Sequence, residues 1–329
     1  MKKLLTRRAF QQAAKGFVTL PDTGLSARGR HHSPLRWLTG RHFVIGVPYV
    51  WLLICFLVPF LIVFKISLAD METANPFGTL LSYVDGAITL KIKITNYLFI
   101  FQDDLYSLTY LSSLKYAAIT TLFCLTIGYP FAYFMARAKA TVRPTLMMLV
   151  MLPFWTSFLL RIYAWKGILA NDGLLNHFLQ SVGLTHAPLH MMNTQFSLLV
   201  GMVYAYLPFM ILPLYATLVK MDVRFLEAAA DLGSTPWQTF WRITVPLSKS
   251  GIIAGSMLVF IPCVGEYVIP ELLGGPETLM IGHVLWDEFF TNNDWPMASA
   301  VTVMVILLIL VPMGIFNKYQ AQQQAGGKA

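Results

Sequence analysis

EAAADLGSTPWQTFWRITVPL, residues 227–247, sets three charged residues, alanines, a glycine, two prolines and two tryptophans inside a chain that is otherwise greasy. Residues 224–232, RFLEAAADL, are strong helix formers. Gly233 can end that helix in the left-handed conformation. Thr235 is a natural N-cap, Pro236 suits a first helical turn, and Gln238 stands where a capping box needs it. The stretch therefore predicts helix, sharp turn, helix. Its small alanines leave a flat surface that another protein can approach closely. The bland alternative is an interfacial hairpin that touches nothing.

Around this stretch the composition is that of an integral membrane protein. Of the 329 residues, 56% are hydrophobic and only 12% charged. Soluble domains carry about 25% charged residues. A net charge of +8 would suggest nucleic acid in a soluble protein. Here the bases are accounted for by membrane topology, and no nucleic-acid partner is expected. Cys55, Cys124 and Cys263 lie in apolar runs without partners at disulfide or metal spacing, so neither is expected. His31 and His32 belong to a basic arm and read as solvated tail residues.

A bilayer span needs about 20 mainly apolar residues. Six stretches qualify: Phe43–Phe64, Tyr116–Ala136, Pro144–Leu160, Thr194–Val219, Ser250–Pro270 and Trp295–Phe316. Residues 1–42 hold nine bases and one acid, Arg137–Arg143 three bases and no acid, and Lys220–Lys249 four bases and three acids. The alternate loops carry six bases and twelve acids. Short basic loops stay in the cytoplasm. Both termini and the 220–249 loop are therefore expected inside and three acidic loops outside, with the spans in contact with membrane lipid. The expected organisation is a basic arm over 1–42, a six-span domain over 43–316 and a tail over 317–329. TRRAF and LPDTG near the start resemble a twin-arginine signal and a sortase site, but lack the flanking context of either. Residues 66–110 read as a long outer loop. NDGLLNHFLQSVGL places Leu174, Leu175, Phe178, Leu179 and Val182 on one helical face, a short helix suited to the membrane interface.

The spacing Glu227, Ala228, Ala229, Gly233, then Ile243, Val245 and Pro246, resembles the EAA loop of permease subunits of binding-protein-dependent ABC importers. That family usually has Leu-Pro where this chain has Val245-Pro246. The resemblance implies an all-α, six-span type I importer bundle whose hairpin docks in a groove of an ATPase subunit. Glu227, Ala228, Ala229 and Gly233 would form the docking surface. The sequence contains no G-x-x-x-x-G-K-[ST] phosphate loop. ATP and Mg would thus be bound by the partner ATPase, present in two copies, and this chain would be no enzyme.

LPFWTSFLLRIYAWKGIL, residues 152–169, and VGEYVIPELLGGPETLMIGHVLWDEFF, residues 264–290, look like the polyamine permeases, most of all the putrescine-type subunit. The resemblance runs from about Phe43 to the end. It implies a second homologous permease and a periplasmic polyamine-binding protein as partners. The residues suit such a cargo independently. A linear polycation needs carboxylates for its ammonium groups and aromatic faces for its methylenes and charge. Glu266 lies late in an apolar span, where a carboxylate costs about 2.5–3.5 kcal/mol and should face a cavity or partner. Pro270 is expected to break that helix, with Glu271 following. Trp155, Tyr204 and Tyr267 complete the expected pathway set, with Trp165 and Tyr206 among the nearby aromatics. Aromatic belts occur at any membrane interface, and the remaining loop acids, Glu277, Asp287, Glu288 and Asp294, suit the orientation of a docking protein better. Arg161 would repel a cation and is expected to pair with an acid. Two readings stay open beside this one: the same fold with an amino-acid, thiamine or ferric-ion cargo, and an ion-driven secondary transporter.

Overall fold

The computed structural model describes residues 41–69, 81–84, 87–90 and 93–326; of the basic arm read over 1–42, residues 1–40 lie outside them. The first span is helix α1, Arg41–Ser67. Its C-terminal carbonyls would be orphans. Asn96 Nδ2 satisfies two carbonyls there, donating to Ser67 O at 3.2 Å and Ala69 O at 3.3 Å. Ser67 Oγ also meets Tyr97 OH at 2.6 Å.

The segment read as a long loop carries structure. Strands β1, Leu81–Val84, and β2, Ala87–Leu90, pair antiparallel with Leu81 opposite Leu90 and Val84 opposite Ala87. This hairpin is a small exception in a helical bundle. Helix α2, Thr95–Gln102, follows. The second span, α3, then runs over Asp104–Arg137, twelve residues earlier than the expected start. Asp103 caps it by accepting from Leu105 N–H at 2.8 Å. Its added turns present exposed Leu105, Leu108 and Leu111, and the spans tolerate Asp104 and Lys115. A search for charge-free runs cannot see that extension.

The third span is not continuous. Helix α4, Arg143–Met151, passes through a 3-10 turn, Leu152–Trp155, and breaks. Helices α5, Phe158–Leu169, and α6, Leu174–Ser181, follow, and the two halves meet at 88°. Pro153 has no N–H for a helical ladder. Thr156 turns back on the Pro153 carbonyl through both N–H and Oγ1, at 3.3 and 2.8 Å. The amphipathic helix forms where expected, but Leu174, Phe178 and Val182 on its apolar face are exposed.

Helix α7, Gln195–Leu218, begins at a Thr194–Ser197 capping box. Helices α8, Arg224–Asp231, and α9, Pro236–Leu247, make the hairpin. Helix α10, Lys249–Val264, leaves α9 at 67°. The short helices α11, Val268–Leu273, and α12, Ile281–Trp286, precede α13, Trp295–Gly326, which runs on into the stretch read as tail. Among the described residues, four helices are long and apolar enough to cross a membrane, or up to six if each bent pair is one span.

The main core lies between α3, α7 and α10, around Tyr116, Met135, Met202, Met210, Leu214 and Val259. In lipid no hydrophobic force drives spans together, so close packing must do it. Gly251 and Gly255, spaced small-xxx-small, allow that approach. A Cβ at Gly251 would stand 2.6 Å from Thr217 Oγ1 and 3.0 Å from Pro213 O. One at Gly255 would stand 2.8 Å from Met210 Sδ and 3.1 Å from its carbonyl. Overpacking of this kind costs about 1–3 kcal/mol, and more where the obstacle is backbone. Gly255→Leu is therefore expected to cut the yield of monodisperse protein extracted from membranes several-fold. Wild-type yield and melting temperature would show that the two helices can part.

Candidate functional site

The hairpin forms as its sequence demands. The N–H groups of Leu232, Gly233 and Ser234 close on the carbonyls of Ala228, Ala230 and Ala229. Gly233 takes φ +79°, the left-handed region that glycine enters without strain. Thr235 Oγ1 accepts from Gln238 N–H at 3.3 Å, and Gln238 Oε1 accepts from Thr235 N–H at 3.4 Å. Glu227, Ala228 and Gly233 are exposed, whereas Ala229 is turned inward and buried. The sequence reading missed the apolar part of this surface. Leu232 is 89% exposed, and Trp237, Trp241 and Phe225 also face outward. Trp237 stacks on Phe240 at 6.1 Å and meets Trp241 edge-on at 5.7 Å. An apolar patch on a polar hairpin marks a contact surface. Its signal was present in the spacing of residues 225, 232, 237 and 241.

The second region is the break after α10. Glu266 does not sit inside a continuous helix, and Pro270 is not the breaker: the chain leaves the helix at Gly265, and Pro270 lies within α11. Glu266 Oε1 accepts from Val268 N–H at 3.1 Å and Ile269 N–H at 3.4 Å, and Oε2 accepts from Tyr206 OH. Three donors offset the cost of placing a carboxylate in a half-buried site. Glycines hold the break from both sides. A Cβ on Gly282 would stand 2.5 Å from Glu266 O and 2.7 Å from Gly265 O, and one on Gly201 3.0 Å from Ile269. Ser113, fully buried on α3, accepts Ile281 N–H at 2.7 Å and so fixes the start of α12.

A run of rings extends from Tyr206. Tyr206 contacts Phe209 at 6.2 Å, and Phe209 meets Phe154 edge-on at 5.1 Å. The Arg161 guanidinium lies over Phe154 at 5.3 Å and Phe158 at 5.7 Å. Among the described residues its close neighbours are rings, not the acid expected for it. Tyr204 meets Trp165 edge-on at 5.5 Å, and Trp155 is 79% exposed.

Glu271 and Tyr267 come together around a histidine that the sequence reading passed over. His283 Nε2 lies 2.7 Å from Glu271 Oε2, and its Nδ1 lies 3.0 Å from Asp287 Oδ2, off the line of a hydrogen bond. Tyr267 stacks on Trp286 at 4.4 Å and leans on His283 at 5.9 Å. Beside them a cavity of about 300 Å³ is lined by Glu271, His283, Asn193, Gly275, Thr278 and Leu279, among others. The signal was the i, i+4 spacing of His283 and Asp287, which puts both on one helix face. Two other loop acids have local work: Glu288 accepts Tyr106 OH at 2.6 Å, and Asp294 caps α13 through Met297 N–H at 2.9 Å. The pathway set therefore divides. Glu266 caps the start of α11, Glu271 and Tyr267 share the His283 cluster, and Trp155 and Tyr204 lie among other contacts.

Residues 124–323 match the family described as binding-protein-dependent transport system inner membrane component. The spermidine/putrescine transport system permease protein PotB of Haemophilus influenzae is 39% identical over 279 residues, 85% of this chain and 93% of the relative. PotB of Escherichia coli is 44% identical over 213 residues, 64% of this chain and 78% of the relative. Among solved structures, a chain of a bacterial alginate ABC transporter in complex with an alginate pentasaccharide-bound periplasmic protein superposes with a TM-score of 0.64. The superposition covers 88% of this chain and 96% of the other at 16% identity, a likeness of fold.

Proposed function

Because this chain belongs to the binding-protein-dependent transport system inner membrane components, and is a permease subunit and not an enzyme, we propose that it carries polyamines, with putrescine as its preferred cargo, in an ATP-driven importer. The observation that carries this reading is the 39% identity to a spermidine/putrescine permease across 85% of the chain. The fold supports it: the hairpin, the broken spans and the acidic break belong to one bundle.

In this reading the basic loops keep the hairpin and both termini in the cytoplasm. The α8–α9 surface, with Glu227, Ala228 and Leu232 outward, docks in the ATPase. ATP and Mg are held by two copies of that motor, since this chain's sequence has no phosphate loop. A second, homologous permease supplies the other half of the path. A periplasmic polyamine-binding protein docks on the acidic outer loops. Cargo ammonium groups pass Glu271 and then Glu266, where an ammonium donor takes the place of Tyr206 OH on Oε2. The stacked Tyr267 and Trp286 offer faces to methylenes and to charge.

The test is uptake of labelled putrescine and spermidine in cells stripped of their own polyamine importers, supplied with the whole complex with and without this subunit. Uptake that disappears with the subunit, putrescine ahead of spermidine, is the expected result. A complex that assembles and hydrolyses ATP yet imports neither would discard the polyamine cargo and keep the permease. Co-purification of the ATPase tests the motor separately: its absence would favour a transporter driven by an ion gradient.

A further inference from the structure

The hairpin meets the core at a buried joint. Ser248 stands where α9 turns by 67° into α10, and it is fully buried. Its N–H donates to Thr244 O at 3.0 Å, and its Oγ donates to Val245 O at 3.1 Å. That hydroxyl proton is thereby used, so Tyr129 OH on α3, 2.7 Å away, donates to Ser248 Oγ. Tyr129 is itself only 7% exposed. One turn of helix further along α3 stands Tyr133. Phe240 of α9 meets Tyr129 edge-on at 5.4 Å and Tyr133 at 6.3 Å, and the Arg137 guanidinium covers Tyr133 at 5.5 Å. Phe240 also opens a π-helical turn, Phe240–Thr244. Such turns are rare inside helices and concentrate at functional positions.

These contacts tie two elements far apart in sequence. Phe240 is hooked over two tyrosines of α3, and the elbow itself is tied to the first of them by a buried hydroxyl bond. A rotation of α9 must either shear this joint or carry α3 with it. We propose that Tyr129, with Phe240 and Ser248, is the positioning joint that passes movement of the hairpin to the second span. It touches neither cargo nor nucleotide. The proposal rests on the reading that the hairpin docks an ATPase.

The experiment uses the whole complex reconstituted in proteoliposomes. Tyr129→Phe removes one oxygen and keeps the ring. Uptake per ATP hydrolysed is expected to fall about fivefold, the factor that one net hydrogen bond carries. Ser248→Ala is expected to give the same fall, and the double variant no further loss. A joint also has a signature independent of cargo. Spin labels on exposed Ala230 of α8 and Phe131 of α3, in a Cys55→Ser background, should keep a narrow distance distribution as ATP and Mg are added. In Tyr129→Phe that distribution should broaden. An unchanged distribution and unchanged ratio in both single variants, with the ATPase still bound, overturns the joint alone. A wild-type complex that does not retain the ATPase overturns the docking reading and the joint with it. If Tyr129→Phe fails to assemble, Ser248→Ala, which removes an atom without opening a ring-sized gap, decides by the same two readings.

Discussion

Glu227→Arg is expected to lower uptake by about tenfold or more, because setting like charges against each other across a docked surface costs several kcal/mol. The hairpin itself should survive. Glu227 lies in the first turn of α8, exposed, where its charge favours the helix dipole by only about 0.3–1 kcal/mol. Its Cβ stays, the Gly233 turn stays, and the Thr235–Gln238 box is on the other arm. Loss of function with an intact hairpin would place the defect at the surface that α8 presents. The measurement is ATP hydrolysis stimulated by the loaded binding protein, made on purified complex beside uptake. Stimulated hydrolysis at the wild-type rate would end the assignment of α8 as the coupling surface.

Glu266→Gln should reduce uptake about tenfold while leaving assembly close to normal, since a charged hydrogen bond is worth about 1.5–3 kcal/mol. Glutamine keeps a carbonyl to accept from Val268 and Ile269 N–H. Its amide end, facing Tyr206, can only donate, and the tyrosine hydroxyl must rotate to receive it. Local geometry is thus mostly retained and the negative charge is lost. Tyr206→Phe makes the complementary change: it frees Oε2 and keeps the charge. The pathway reading expects Tyr206→Phe to lose far less uptake than Glu266→Gln. Unchanged uptake by normally assembled Glu266→Gln would reduce the carboxylate to a helix cap.

Local rules carried well where chain neighbours decide the structure. Thr235, Gln238 and Gly233 take the conformations their side chains favour because their bonds reach only a few residues. They carried poorly where the fold decides. A hydropathy window sees an apolar run over Ser250–Pro270, but not that the carbonyls of Gly265 and Glu266, at the break, lie against Gly282 of a later helix, where a Cβ would not fit. It also averages over Pro153 and Thr156, which turn a span by 88°. The candidate site shows the same division. Glu266 was found by its cost in lipid. Its partner role for Tyr206, 60 residues away in sequence, follows only from the packing of α7 on α10. His283 escaped notice because its i, i+4 spacing to Asp287 gains meaning only when the fold brings Glu271 to its other nitrogen.

At Gly251 and Gly255 α10 has no side chain of its own, and the carbonyls of Pro213 and Met210 on α7 lie close against its backbone. Side chains absorb a small rotation by changing rotamers; bare backbone has none to change. So at this contact α7 and α10 behave as a single girder, and flexure is displaced to the points where one helix ends and the next begins. Those places are the turn after Trp155 and the break at Glu266. Stiffness and compliance are thus segregated along the chain, with compliance set by prolines and glycines at the interruptions. A cross-link or antibody meant to freeze this protein in one conformation has to bridge an interruption. Placed across the girder, it would brace something already rigid.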